Sequence, residues 1–229
     1  MWERIVEEAP AFFTYWNLIF LLKALGATFL LSAAGCLFGF GVGFALAVLR
    51  RTRGLGLIWA RWLAILFTET FRRIPFLVTL LLTFFVFQAL AIDLTLFTIA
   101  VISVCLIATA FIAEIVRGGI ESVHQNQWDA AEAMNFSYWQ TLRLVIIPQA
   151  WKVIIPPAFS FFVLFIKDTA LASQIGVVEL TYAGKVMNNK GFSAALVFGT
   201  ILILYFALSY PLARFGFWME KKLAPPRNR

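Results

Sequence analysis

Uncharged or nearly uncharged apolar stretches recur at Ala24 to Leu49, Ile74 to Ile92, Leu94 to Ala113, Val153 to about Val178 and Gly191 to Ala213. Each is compatible with the roughly 20 residues that a helix needs to cross a bilayer. A further apolar segment, Leu57 to Phe71, is interrupted by Arg61 and Glu69 and carries Trp59 and Trp62, amphipathic side chains that favour a membrane interface. It reads as the inner half of the second span. The pattern thus predicts an all-α integral membrane protein, one domain over residues 1–229, with five spans at about 20–49, 57–92, 94–117, 149–178 and 191–219.

Between the third and fourth spans lies a polar island, residues 118–148. Gln127 to Met134 holds strong helix formers, Asn135 suits the left-handed conformation that ends a helix, and Ser137 with Gln140 makes a capping box. The expectation is a short helix, a sharp turn and a second helix. Pro148 marks the approach to the fourth span, and Pro156 and Pro157 predict a kink within it. In the first span Gly35, Gly39 and Gly43 repeat at four-residue spacing, which lets another helix approach closely, either within the chain or at a subunit interface.

Charge orients these spans. Arg50, Arg51 and Arg53 end the first, and Lys221, Lys222, Arg227 and Arg229 follow the last. Both clusters favour the cytoplasm, and only an odd number of spans puts them on the same side. The N-terminus is therefore expected outside, with the C-terminus and the 118–148 loop inside. Asp93, and Glu179, Lys185 and Lys190, fall in outer loops. The acidic N-terminus, with Glu3, Glu7 and Glu8, lacks the basic region of a signal peptide, so the first span is expected to be retained.

The composition, 62% hydrophobic and 14% charged, fits a membrane protein, and topology with anionic lipid accounts for the net charge of +7 without nucleic acid. Cys36 and Cys105 sit in apolar runs and read as packing residues. His124, the one histidine, stands in the loop without neighbouring ligands, so no metal site is expected. No arrangement for nucleophilic or acid–base catalysis is visible. There is also no G-x-x-x-x-G-K-[ST] phosphate loop; Gly184-Lys185 lacks the preceding glycine and is followed by Val186. Ionisable groups at membrane depth are costly, which makes Glu69, Arg72, Arg73, Lys167 and Asp168 candidates for function. The neighbouring Lys167 and Asp168 suit the carboxylate and ammonium of an amino acid, or serve to hold the fourth span in place. Thr169 and Ser173 share a helix face along the same path, and Glu114 with Arg117 reads as a helix-surface salt bridge.

At four places the chain resembles the membrane permeases of bacterial ABC importers for polar amino acids, the type I importer fold. Asp129-Ala130-Ala131, Asn135, Val145, Ile147 and Pro148 are similar to that superfamily's EAA loop. Glu69 to Leu77 (ETFRRIPFL) resembles E-x-F-R-G-T-P-L-L, Phe111 to Ile120 (FIAEIVRGGI) resembles Y-I-A-E-I-V-R-G-G-I, and Lys167 to Leu180 (KDTALASQIGVVEL) resembles K-D-T-S-L-L-S-x-I-G-V-x-E-L. The motifs follow the family's order and spacing from Glu69 to Leu180. The departures are Asp129 for the loop's leading glutamate, Asn135 for its glycine, and Arg73-Ile74 where many relatives have Gly-Thr.

The resemblance implies a non-enzymatic subunit of the bacterial inner membrane, paired with a second copy or a paralogue. It implies a cytoplasmic ATPase dimer that binds ATP and magnesium and docks at Asp129, Ala130, Ala131, Asn135 and Pro148. It also implies an extracytoplasmic binding protein that delivers the amino acid, and a substrate path through Glu69, Arg72, Arg73, Lys167, Asp168, Thr169 and Ser173. The cations lean toward an anionic or amide substrate. Two rival readings are a channel or scaffold that recruits a cytoplasmic partner, and an ion-coupled transporter, which usually shows paired repeat halves.

Overall fold

A computed structural model describes residues 2–51 and 55–223, with no strand among them. Arg53, Arg227 and Arg229 of the two basic clusters lie outside the described residues. Ten α-helices follow in order: α1 Trp2–Phe12, α2 Tyr15–Arg51, α3 Ile58–Phe71, α4 Phe76–Ala89, α5 Leu96–Glu121, α6 Gln125–Ala133, α7 Tyr138–Thr141, α8 Ile147–Asp168, α9 Leu180–Asn189 and α10 Ala194–Leu223. Four stretches are long and apolar enough to cross a membrane: α2, α5, Tyr138–Ile175 and α10. The pair α3 and α4 brings the number to five if it is one crossing.

That pair corrects the expected second span. Instead of one helix over 57–92, α3 and α4 meet at a bend of 114°. Pro75 stands just before α4 with φ −58° and ψ 142°, has no N–H to continue α3, and drives the residue ahead of it out of helical geometry. At 14 residues, α4 measures about 21 Å.

Contacts divide the chain into two compact units. The first gathers residues up to Cys36, Ile74–Cys105 and Phe162–Leu212; the second gathers Leu37–Arg73, Leu106–Phe161 and the residues from Ala213 on. In the first, Phe12, Leu21, Leu180, Met187, Val197 and Ile201 form a core from α1, α2, α9 and α10. Gly184 lets α9 close on α10, since a Cβ there would meet Ile201 Cγ1 at 3.0 Å. Two of these elements were not expected. α1 is clasped to the start of α10: Glu8 Oε2 accepts from the Ser193 N–H (2.6 Å), Arg4 reaches the Gly191 carbonyl (3.3 Å), and Phe12 meets Phe192 edge to face. The Ser193 N–H, together with Arg4, holds the Glu8 carboxyl down at about 2. α9 replaces the expected outer loop at Glu179 and Lys185. Its buried Leu180, Ala183, Gly184 and Met187 recur at helical spacing, and Glu179 is its fully buried N-cap.

In the second unit Val48, Ile112, Val116, Leu142, Ile146 and Ile154 form the core. The glycine face of α2 packs within the chain. In the first unit Gly35 lies against Val104; in the second a Cβ on Gly39 would meet Ala108 Cβ at 2.6 Å, and one on Gly43 the Thr109 carbonyl at 2.8 Å. Helix α8 runs unbroken through Pro156 and Pro157. A π-helical turn, Leu142–Ile146, precedes it, with the Ile147 N–H reaching the Leu142 carbonyl. Pro148 supplies the cause, because its ring would clash with the Leu144 carbonyl in an ordinary α turn and the wider turn avoids this.

Candidate functional site

Helix α6 is built from strictly local signals. His124 is its N-cap, with Nδ1 accepting from the Asn126 N–H at 3.2 Å, a role the sequence reading did not assign to it. At the other end Asn135 has φ +56°. The Asn135 N–H reaches the Glu132 carbonyl (2.9 Å) and the Phe136 N–H the Ala131 carbonyl (3.0 Å), the paired bonds of a Schellman motif. The Ser137–Gln140 capping box then starts α7, with both of its hydrogen bonds formed. A short helix, a turn at Asn135 and a second helix thus follow one another as the sequence predicts.

One face of α6 is anchored in the second unit. Ala131 is fully buried, Trp128 stacks on Tyr138, and the Arg51 guanidinium lies 4.3 Å over the Trp128 ring. Gln149 of α8 donates to Gln127 Oε1 at 3.0 Å. Asp129, Ala130, Glu132 and Ala133 are exposed, with Asp129 braced by Gln125 Nε2 at 2.9 Å. Pro148 is exposed on the second residue of α8. The result is a short helix held from behind with a free polar outer face.

Elsewhere in the same unit the two motifs around Glu69 and Glu114 converge on an ionic network. Arg50, 12% exposed at its side chain, lies 3.6 Å from Glu69 and 3.4 Å from Glu114, and donates to the Thr68 hydroxyl at 2.9 Å. Arg72 lies 3.2 Å from Glu114 and 3.8 Å from Glu69. Arg117 bonds Glu114 through Nε at 3.0 Å and also pairs with Glu121, while Arg73 pairs with Glu69. The expected Glu114–Arg117 bridge is thus one edge of a larger assembly that ties the end of α2 to α3 and α5. In the sequence Arg50 marks only topology; its partners stand 19 and 64 residues away, and no sequence spacing announces them.

The other expected site residues lie in the first unit, at the end of α8 and in the 3₁₀ turn Thr169–Ile175, which Gly176 closes at φ +91°. Lys167 is exposed and Asp168 half-buried, and neither has an ion-pair partner within 4.0 Å among the described residues. Thr169 and Ser173 are buried. Thr169 Oγ1 is 3.3 Å from Ser32 Oγ, and Ser173 accepts from Lys185 Nζ at 3.0 Å. The polar set continues through residues the sequence reading did not single out for this site. The Thr28 hydroxyl accepts from the Leu180 N–H, and Glu179 accepts from the N–H groups of Thr181 and Tyr182 and from Tyr205. Burial pushes the Glu179 carboxyl above its ordinary range against the pull of those bonds. Among the described residues no cluster of three or more His, Cys, Asp or Glu is placed to hold a metal.

Comparison with known proteins identifies the family. Residues 39–223 match the family described as the binding-protein-dependent transport system inner membrane component. The chain is 33% identical over 223 residues to the probable amino-acid ABC transporter permease protein YckA of Bacillus subtilis (strain 168), covering 97% of this chain and 96% of that one. It is 33% identical over 214 residues to the glutamine transport system permease protein GlnP of Escherichia coli (strain K12), covering 93% and 92%. The crystal structure of an amino acid ABC transporter with histidines superposes with a TM-score of 0.82 at 25% identity, over 90% of this chain and 94% of that one. With four or five stretches among the described residues long and apolar enough to cross a membrane, matching motifs and a relative aligned along nearly its whole length, this chain belongs to the family of inner membrane components of binding-protein-dependent transport systems, the permease subunits of ABC transporters.

Proposed function

We propose that this chain is the membrane-spanning subunit of an importer that carries a polar amino acid into the cell. α6 transmits the strokes of a separate ATPase dimer, which holds ATP and magnesium. The observation that carries this reading is the exposed outer face of α6 on a helix fixed at both ends and along its back, because mechanical coupling needs a lever that does not yield. Asp129 and Ala130 then mark the docking site, while the buried Ala131 seats the helix from behind and Asn135 and Pro148 set its angle. The N-terminus lies outside, where a binding protein delivers the substrate, and the C-terminus lies inside.

Lys167 and Asp168 are the charges left for the substrate, since each lacks an ion-pair partner among the described residues, whereas Glu69 and Arg72 are engaged in the ionic network. A cation beside a carboxylate complements the two ends of an amino acid. Relatives named for glutamine and for L-cystine support a polar substrate. The test is uptake into proteoliposomes that contain this chain, its co-expressed ATPase and its binding protein, across an amino acid panel. ATP-dependent accumulation of one amino acid class is the expected result. ATP-independent flux, or no ATPase co-purifying, overturns the reading.

A further inference from the structure

The second unit carries a cleft of about 610 Å³ that no part of the proposed transport cycle uses. Its size is that of a ligand pocket, on the usual scale of roughly 300–1,000 Å³. Phe44, Ala45 and Val48 of α2, Leu57 at the head of α3, and Trp139, Leu142 and Ile147 line it, so its wall is apolar save for one side chain, Arg143. Leu57 and Trp139 stay 44% and 60% exposed, so the cleft is open.

Two features name the occupant. The first is depth: Phe44 to Leu49 are the last apolar turns of α2 before Arg50 and Arg51, where a span meets the headgroups, and the amphipathic Trp139 suits that level. The second is charge. Arg50 is spent in the ionic network and Arg51 covers Trp128, but Arg143 has no ion-pair or hydrogen-bond partner among the described residues. An apolar trough with an unpaired guanidinium at its wall matches a phosphate attached to hydrocarbon, and a soluble anion would leave the trough unfilled. We propose that the cleft binds an anionic phospholipid, with its phosphate on Arg143 and an acyl chain between Phe44, Val48, Leu57 and Trp139. The proposal needs the chain to be in a membrane and nothing from the ATPase.

The test uses the full chain in nanodiscs of phosphatidylcholine with a minor fraction of phosphatidylglycerol, in which one lipid or the other carries brominated acyl chains that quench tryptophan. The Trp139 signal is the difference between the wild type and Trp139→Phe. Expected is about fivefold stronger quenching per mole by brominated phosphatidylglycerol than by brominated phosphatidylcholine, the preference one basic side chain confers near an anionic headgroup. Arg143→Gln removes the preference, Arg143→Lys keeps it, and Ala45→Phe, which fills the cleft, weakens quenching by both lipids. Because Arg143→Lys keeps the charge, a folding defect in Arg143→Gln does not decide the outcome. Equal quenching by the two lipids overturns the proposal in favour of an ordinary lipid-facing surface. No quenching by either overturns it in favour of a cleft covered by protein, a second copy of this chain.

Discussion

Replacing Ala131 with leucine tests the lever reading most directly. Ala131 is fully buried on the inner face of α6, so three added carbons have no space, and overpacking of this kind costs about 1–3 kcal/mol. The contacts that hold α6 in place are of the same size. The Trp128–Tyr138 stack contributes about 0.5–1.5 kcal/mol, the Arg51–Trp128 contact about 0.5–1 kcal/mol, and the Gln127–Gln149 hydrogen bond about 1 kcal/mol at most at its exposed site. The helix therefore shifts from its angle while the buried core of Ile112, Val116, Ile146 and Ile154 keeps the rest of the unit folded. A 2 kcal/mol bias reduces the properly set population about thirtyfold. ATP-driven uptake in proteoliposomes should fall at least tenfold, with substrate-stimulated ATP hydrolysis falling alongside, while the amount of chain in the membrane stays at the wild-type level. Unchanged uptake would refute the reasoning. So would a loss of uptake that merely follows a loss of chain from the membrane, because the effect would then be on stability and not on coupling.

Further expectations concern packing, the ionic network, the unpaired charges and the α1 clasp. Gly43→Leu drives its Cβ into the backbone at Thr109 and Ala113 and should lower the thermal midpoint of the purified chain by several degrees, whereas Gly41→Ala, with nothing within 4 Å, should hold or raise it. Glu114→Gln leaves Arg50, Arg72 and Arg117 short of a counter-charge and should destabilise by about 2–4 kcal/mol, a loss that Arg50→Gln in the same chain partly restores in thermal unfolding. Lys167→Met should leave that midpoint within a degree or two and abolish uptake, since it breaks no ion pair among the described residues. The Glu8 carboxyl is held down at about 2, so its share of the α1 clasp is full above about 4.5 and is lost as pH falls from there toward 2. The hydrogen-exchange protection factors of residues 2–12, which divide out the intrinsic slowing of exchange in acid, should fall over that window, and Glu8→Gln should show the lower protection already at neutral pH.

How far the sequence discloses this structure depends on how far apart the interacting residues stand. Asn135, Ser137 and Gln140 act on groups within five positions, so the turn after α6 is legible residue by residue. The network at Glu114 joins residues up to 64 positions apart, and Arg50 shows its role only once α2 and α5 are paired. α9 falls between these cases. Leu180, Ala183, Gly184 and Met187 stand at i, i+3, i+4 and i+7, the spacing of an amphipathic helix, but Glu179, Lys185 and Lys190 drew the segment toward an outer loop. The Glu179 charge marks a buried helix start instead, because it meets two backbone N–H groups that would otherwise lack partners. α1 is obscured by its acidic residues and by Pro10, and is held by contacts some 185 positions away in sequence.

The bend after α3 joins the departures in the sequence to the geometry. A helix that stops within an apolar environment leaves its last carbonyls without partners, and each must find one inside the protein. Here the Arg72 N–H reaches the Thr68 carbonyl at 3.2 Å and the Arg73 N–H the Thr70 carbonyl at 3.1 Å, while the Arg73 guanidinium takes the Glu69 carbonyl at 3.1 Å. The Thr68 hydroxyl is held by Arg50. Cations at a helix C-terminus also oppose the negative end of its dipole. The second arginine, which stands where many relatives of the resembled family have glycine, thus has structural work at the break itself. Arg72 and Arg73 finish α3 by pairing with its own Glu69, and Arg72 binds it to Glu114 of α5, so a 114° turn next to Pro75 is stabilised by the same charges that look, in sequence alone, like ligands for a substrate.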